Sequence, residues 1–251
     1  MTTTMRSTAA KKVPMTSLRK TALVAGIFYL ITFVSIPTLA LYGPVKDHPD
    51  WILGSGGHTA VLVGGFLEVI VALAGIGTAV TLYPVVKRQN EGLALGFVTA
   101  RVLEAVMIFT GVVSLLSLLT LKQDLGGANA AALVTVGASH VAVYNWTFLL
   151  SQTLMPGINA LLLGSLMYRS RLVPRIIPLV GLIGAPFLVC TVIATLLGGM
   201  KLGSPEFAAV PVAAWELSLG VWLVVKGFKP SPITTDVTAA STPLAYHEAA
   251  V

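Results

Sequence analysis

The sequence predicts an all-α protein: a polytopic membrane helix bundle of six transmembrane helices with both termini in the cytoplasm. Of its 251 residues, 55% are hydrophobic and only 10% are charged, whereas a soluble domain carries roughly 25% charged residues. Apolar runs of about 20 residues recur along the chain, which is the length that a helix needs to cross the hydrocarbon core. Lys and Arg residues cluster in alternate connections between these runs, as is typical of cytoplasmic segments.

The first span is predicted at 21–41, after a Thr/Ser/Ala/Lys-rich stretch at 1–18 that we expect to be a disordered cytoplasmic tail. The basic residues before this run and the sequence Thr38-Leu39-Ala40 would also suit a cleavable signal peptide. The length of the run and the similar runs that follow favour a retained span. Pro37 is expected to bend or end the helix.

The membrane domain is predicted to cover 19–228 and to be followed by a second disordered cytoplasmic tail at 229–251. Residues 121–140 fit either a short surface helix or an outward extension of the fourth span. Met155-Pro156-Gly157 is expected to kink that span. The five further spans are predicted at 58–83, 92–120, 141–168, 176–197 and 208–225.

The positive charges define an orientation. Twelve of the 16 Lys and Arg residues fall in the terminal segments and in the connections after the second and fourth spans. The opposite side carries only Lys46, Lys122 and Lys201, and Arg101 lies within a span. The positive-inside rule therefore predicts cytoplasmic termini and insertion in the inner (plasma) membrane. Because these charges lie at helix ends, the net charge of +6 indicates the lipid bilayer as partner and no nucleic acid.

Polar side chains inside the spans mark the candidate site. Arg101 and Glu104 are three residues apart and share one helix face, so we expect Arg101 to pair with Glu104 or with a glutamate of the second or sixth span. At about 1.5 Å per residue, these groups lie about 14–24 Å from the cytoplasmic helix ends. We therefore predict one intramembrane polar cluster, which consists of Glu68, Arg101, Glu104, Asn145, Gln152, Asn159 and Glu216.

Three function classes remain open for this cluster. Three glutamates cannot all be neutralised by one arginine, which favours small-solute or proton-coupled transport or sensing. Alternatively, the same residues form a purely structural polar network in a structural or partner-binding membrane protein. An intramembrane enzyme is the third reading, although the adjacent Ser139 and His140 would point apart on a helix.

A metal or cofactor site has little support in the sequence. His58 and His140 are weak candidates for metal ligands that could join Glu68, but no paired histidine motif supports them. The glycine-rich stretch at 54–57 lacks the lysine of a phosphate-binding loop, so no cofactor is predicted. The tyrosines and tryptophans near the span ends, among them Tyr42, Tyr144 and Trp146, suit an aromatic belt at the lipid headgroups, and Trp215 beside Glu216 is the exception. Cys190 is expected to be a small buried hydrophobe.

Several distinctive motifs lie between Leu18 and Phe228. They comprise Leu82-Tyr83-Pro84, Lys87-Arg88-Gln89-Asn90-Glu91-Gly92, Arg101-Val102-Leu103-Glu104-Ala105, the stretch Tyr168-Arg169-Ser170-Arg171-Leu172-Val173-Pro174-Arg175, and Trp215-Glu216 with Trp222 and Lys226-Gly227-Phe228. Together they resemble a bacterial integral membrane protein family catalogued as domain of unknown function 4386. The resemblance implies a six-helix integral membrane protein. It implies no reaction, ligand or partner.

Overall fold

The computed structural model describes residues 15–54, 56–124, 129–202 and 206–235. Within these ranges the chain forms helices and no strands, so the predicted all-α class is confirmed. Six helices are long and apolar enough to cross a membrane, and we number them as spans one to six. They are Ser17–Leu41, His58–Val86, Glu91–Gln123, Ala130–Ser170, Ile176–Leu196 and Phe207–Val225.

Span one begins four residues before its predicted start and is interrupted near its far end. The Thr16 side chain accepts a hydrogen bond from the Arg19 amide at 3.3 Å, which caps the helix at Ser17. The regular α-helix ends at Ile31, and a 3-10 turn and a short helix at Thr38–Leu41 follow on either side of Pro37. The expected break near the proline is therefore present. The predicted loop after it contains a second short helix, Gly43–Asp47, and a 3-10 turn, Pro49–Leu53.

Span four decides the open question about residues 121–140. The helix from Ala130 continues directly into the predicted span, so 130–140 extends span four rather than forming a separate surface helix. A wider π-helical segment, Leu149–Leu154, precedes Pro156, which lies in the first turn of the following α-helix, Met155–Ser170. Proline lacks the N–H that continues an α-helical ladder, and π turns accommodate such breaks. The irregular turn thus begins slightly before the predicted kink.

The six spans pack as a closed ring. Each span contacts the next one along the chain, and span one also packs against span six. The last contact is close: a Cβ added to Gly26 would lie 2.8 Å from the Gly220 carbonyl oxygen. Arg19 reinforces this closure, because its guanidinium donates hydrogen bonds to the carbonyls of Leu223 (2.8 Å) and Val224 (2.5 Å) at the end of span six.

The outer surface of the ring is apolar, as a lipid-facing surface requires. Large hydrophobic side chains such as Phe66, Leu73 and Phe187 are exposed there. Cys190 is also exposed on span five, so the expectation that it is buried is wrong. The residue occupies a position in an apolar run where lipid, rather than protein, supplies the hydrophobic surroundings.

The described residues beyond span six contact the bundle. The Lys229 amide donates to the Leu172 carbonyl at 2.8 Å, the Ser231 hydroxyl donates to the Ser170 carbonyl at 2.5 Å, and a 3-10 turn follows at Pro232–Thr234. Ordered contacts therefore extend past the predicted domain boundary at residue 228. Residues 1–14 and 236–251 lie outside the described residues, and the disorder predicted for them stays a prediction.

Candidate functional site

Arg101 is the centre of a buried ion-pair network, which we call the arginine cluster: Arg101, Glu104, Asn159 and Glu216. One guanidinium nitrogen lies 3.1 Å from a Glu104 carboxylate oxygen, and the other lies 2.5 Å from Glu216. The Asn159 amide donates to Glu104 at 2.7 Å. These bonds join spans three, four and six across the interior of the ring. The expected pairing of Arg101 with Glu104 or a glutamate of another span is present, and Arg101 pairs with both.

The surroundings of Arg101 exclude solvent and favour its positive charge. Only 3% of its surface is exposed. The guanidinium carbon lies 5.5 Å from the centroid of the Tyr29 ring and 5.8 Å from that of Phe97, so two aromatic faces flank the cation. The buried Arg101 Nε and Asn159 Oδ1 atoms have no hydrogen-bond partner. The arginine cluster is thus a nearly complete network of paired charges.

Glu68 belongs to a second site, which we call the Glu68 site: Glu68, Tyr42, Tyr144 and Gln152. The Tyr144 hydroxyl and the Gln152 amide donate to one carboxylate oxygen at 2.8 Å and 3.0 Å. The Tyr42 hydroxyl lies 3.4 Å from the other oxygen. Glu68 is 1% exposed, and no cation lies within ion-pair distance of it among the described residues. All its direct partners are therefore neutral donors.

Tyr42 reaches Glu68 because span two carries a glycine one turn before the glutamate. A Cβ added to Gly64 would lie 2.3 Å from a carbon of the Tyr42 ring, so the ring occupies the space that any other residue would fill. The Tyr42 and Tyr144 rings meet edge to face at 5.2 Å. Both tyrosines were expected in an interfacial belt, and that expectation is wrong: they are buried and bind a carboxylate. Gly64, four residues from Glu68 on the same helix face, was the signal in the sequence.

The two sites are separate, so the prediction of one polar cluster is wrong in this respect. No hydrogen bond or ion pair among the described residues joins Glu68 to the arginine cluster. Gly75, which packs beside Arg101, lies seven residues and about 10 Å along span two from Glu68. Along span four, Gln152 binds Glu68 and Asn159 binds Glu104. Asn145 binds neither carboxylate.

Asn145 instead lines a pocket at the end of the bundle where the 42–57 segment lies, which we call the loop-end pocket. Its volume is about 190 Å³. Its polar lining comes from Lys46, His48, Trp51 and Asn145, and the rest of the lining is apolar. The Lys46 amine lies 5.6 Å from the centroid of the Tyr144 ring. Tyr144 therefore has Lys46 over its ring face, while its hydroxyl binds Glu68.

The 42–57 segment is fixed over the bundle by Lys122 of span three. The Lys122 amine donates to the carbonyls of Trp51 (3.0 Å) and Gly56 (2.9 Å) and lies 3.8 Å from the centroid of the Trp51 ring. Gly57 has φ +90°, and a Cβ there would lie 2.5 Å from the Trp51 indole nitrogen. These contacts hold Trp51 at the wall of the loop-end pocket.

The two weak candidates for metal ligands have other neighbours. The His58 ring lies 6.4 Å from the Trp51 ring, centroid to centroid. His140 Nδ1 is 3.1 Å from the Ser114 hydroxyl, which also donates to the His140 carbonyl at 3.0 Å. Neither histidine joins Glu68, and the described part of the chain has no group of three His, Cys, Asp or Glu side chains that could hold a metal. The sequence neighbour Ser139 bonds to the Thr135 carbonyl instead.

The fold and the two sites define a class of protein: a six-span membrane helix bundle with one paired and one unpaired acidic site in its interior. Residues 24–227 match the family described as domain of unknown function (DUF4386). The chain belongs to this family, and the resemblance in its motifs is confirmed. Neither the curated proteins nor the solved structures contain a match to the chain. The family description assigns no reaction, ligand or partner.

Proposed function

We propose that this membrane protein recognises a small solute in the loop-end pocket and links its binding to the protonation state of Glu68, as a proton-coupled transporter or sensor would. The observation that carries the proposal is the contrast between the two acidic sites. Glu104 and Glu216 share a buried arginine. Glu68 is 1% exposed, has only neutral hydrogen-bond partners among the described residues, and bonds to Tyr144, whose ring centroid lies 5.6 Å from the amine of the pocket residue Lys46.

The geometry of the Glu68 site suits both charge states of the carboxyl group. An ionised carboxylate accepts the bonds from Tyr42, Tyr144 and Gln152. A protonated carboxyl needs one acceptor for its O–H, and a tyrosine hydroxyl can accept as well as donate. The Tyr42 hydroxyl, which lies 3.4 Å from a Glu68 carboxylate oxygen, can change from hydrogen-bond donor to acceptor. A buried acid that keeps its partners in both states can take up and release a proton without reorganising the helices.

The arginine cluster supports a different role. Its cation is held by two carboxylates and two aromatic faces, and its bonds join three spans. Buried ionic networks of this kind fix the register of packed helices. We therefore assign the second candidate function, a structural polar network, to this cluster alone.

Infrared difference spectroscopy tests the assignment of Glu68. In purified protein titrated with acid, a carboxyl C=O stretching band should rise, and the component that comes from Glu68 should be missing from Glu68→Gln. Glu104→Gln is the matched control, since Glu104 is a buried glutamate of the same bundle, and the band should remain in that variant. An identical band in Glu68→Gln, or loss of the band only in Glu104→Gln, would contradict the proposal.

We also propose that the protein lies in the plasma membrane of a bacterial cell with both termini in the cytoplasm. The charge bias of the connections supports this orientation. Single cysteines at the exposed positions Arg169 and Lys201 should be introduced in a Cys190→Ala background, because Cys190 is exposed. An impermeant thiol reagent on intact cells should label position 201 and spare position 169. The reverse pattern would overturn the orientation.

A further inference from the structure

We infer that the loop-end pocket takes a small organic anion, a carboxylate on a short apolar body, and that Lys46 pairs with its negative charge. The inference rests on the proposed function, because it names the class of solute for the same pocket. Lys46 lines the pocket, and among the described residues neither Asp nor Glu does.

Lys46 is the cation that this pocket offers to a ligand. Its amine lies over the rings of Tyr144 (5.6 Å) and Phe148 (5.8 Å), and it forms no ion pair among the described residues. Asp47 and Asp50, on the same segment, are exposed and do not line the pocket. A lysine held against aromatic faces at a pocket wall, with no carboxylate partner, provides a binding point for an anion.

Lys122, the second lysine of this region, stabilises the 42–57 segment and does not line the pocket. Lys122 donates to two backbone carbonyls and lies on the Trp51 ring. It adds positive potential near the pocket while its donors are occupied. Lys46 is therefore the residue whose removal should abolish charge recognition, and Lys122 should not be altered in the test, because the 42–57 segment depends on it.

The size and lining of the pocket limit the solute further. A volume of about 190 Å³ lies below the range of about 300–1,000 Å³ that is usual for pockets of drug-sized ligands, so the solute should be small. Val45, Ile52, Leu118 and Val141 supply apolar walls, and the Asn145 amide adds one neutral polar group. A short-chain carboxylate matches this combination of one lysine, the polar groups of His48, Trp51 and Asn145, and apolar walls. Among the described residues of the lining, Lys46 is the one Lys or Arg, which suits an anion of single charge.

Anion binding at Lys46 should be coupled to Glu68. Glu68 faces Tyr42 from the segment after span one and Tyr144 and Gln152 from span four. The Lys46 amine lies 5.6 Å from the centroid of the Tyr144 ring, whose hydroxyl bonds to Glu68. An anion beside Lys46 adds a second negative charge to the same region. The bound anion and an ionised Glu68 repel each other. Binding of the anion should therefore favour uptake of a proton by Glu68.

The same chemistry could be presented by a membrane lipid. An anionic phospholipid headgroup also carries a negative charge on an apolar body, and the pocket lies at one end of the bundle, where headgroups are expected. We commit to the free carboxylate, because three of the four polar side chains of the lining, Lys46, His48 and Trp51, come from the 42–57 segment that lies over this end of the bundle. The experiment includes a lipid arm to separate the two sources.

Calorimetric titration of the purified full-length protein in a zwitterionic detergent tests the inference. The probes are acetate, propionate and butyrate, with propionamide and butyramide as neutral isosteres, all at constant ionic strength. Carboxylates should bind at least tenfold more tightly than the amides, which is about 1.4 kcal/mol. Lys46→Met should abolish this preference and Lys46→Arg should keep it. Lys201→Met removes an exposed lysine outside the pocket and should bind like the parent.

Each outcome supports or overturns the inference. Equal binding of carboxylates and amides, or an unchanged preference in a Lys46→Met protein that elutes as a folded species, would overturn it. So would stabilisation by phosphatidylglycerol vesicles, but not phosphatidylcholine vesicles, without binding of any free carboxylate. Glu68→Gln separates this inference from the proposed function: carboxylate preference should persist there, while the pH dependence of binding is lost. If the carboxylate preference and the pH dependence of binding both persist in Glu68→Gln, the role of Glu68 is overturned and the anion site stands.

Discussion

Removal of Arg101 should destabilise the bundle more than removal of either of its carboxylate partners. The substitution Arg101→Met keeps an unbranched side chain but leaves Glu104 and Glu216 without a cation, although both lay within 3.1 Å of it. Breaking a buried ion pair by removing one partner costs about 3–5 kcal/mol. We therefore expect Arg101→Met to lower the free energy of unfolding by about that amount at neutral pH.

Glu104→Gln should lower the free energy of unfolding by less, because neighbouring groups can replace the contacts that Glu104 makes. Arg101 keeps Glu216, so one cation still faces one carboxylate. The new amide oxygen can accept from Arg101, and the Asn159 amide can rotate to present its Oδ1, which now has no partner. The expected loss is about 1.5–3 kcal/mol, the value of one hydrogen bond to a charged group. Sequence alone favours the opposite order, since an unpaired arginine cannot lose its charge; the second carboxylate, Glu216, reverses it.

The assay is unfolding by sodium dodecyl sulfate in mixed micelles, followed by circular dichroism. Arg169→Met is the matched control, because Arg169 is exposed at the end of span four, and it should lie within about 0.5 kcal/mol of the parent. The Arg101→Met deficit should shrink as the pH is lowered, because both stranded acids can then take protons. Equal stability of Arg101→Met, Glu104→Gln and the parent would refute the reasoning, since the buried network would then contribute nothing.

Two further predictions concern contacts that the structure places around these sites. Gly64→Ala should lower stability by about 1–3 kcal/mol, because its Cβ would overlap the Tyr42 ring. Gly65→Ala, whose Cβ would meet only ordinary contacts from 3.4 Å, should be close to neutral in the same unfolding assay. Arg19→Met should cost about 1.5–3 kcal/mol through loss of its bonds to the end of span six. Lys20→Met replaces an exposed neighbouring residue and should leave the free energy of unfolding unchanged. Equal losses for Arg19→Met and Lys20→Met would refute the role of Arg19 in joining spans one and six.

The spans and the Arg101–Glu104 pair could be predicted because both depend on local rules. Hydrophobic length sets the number of crossings, and the i, i+3 spacing places the two charges on one face. The partnership with Glu216 followed from the high free energy of an unpaired intramembrane arginine. These features need no knowledge of how the helices are arranged around the ring.

The division into two sites depends on that arrangement and could not be predicted. Asn145, Gln152 and Asn159 recur every seven residues along span four, a spacing that predicts one shared helix face. The π segment Leu149–Leu154 lies between the first and the last of them, and each amide meets a different neighbour. Depth along a helix axis likewise says nothing about the lateral position of Glu68 relative to Arg101.

The tyrosines at Glu68 were missed because a tyrosine near a span end has the same sequence context whether it faces lipid headgroups or the protein interior. Tyr42 turns inward because Gly64 leaves space for its ring. Arg19 was counted only as a cytoplasmic charge. Its bonds to Leu223 and Val224 arise from the contact between the first and last spans, which no local pattern predicts.

The most direct test of the central claim is the number of protons taken up when a carboxylate binds. Calorimetric titration of propionate into the full-length protein, repeated in buffers of different ionisation enthalpy, gives this number from the slope of the heats. We predict net proton uptake on propionate binding near neutral pH, of at most one proton per propionate, and none in Glu68→Gln, with Glu104→Gln like the parent. Binding without proton uptake in the parent, or the same uptake in Glu68→Gln, would contradict the account.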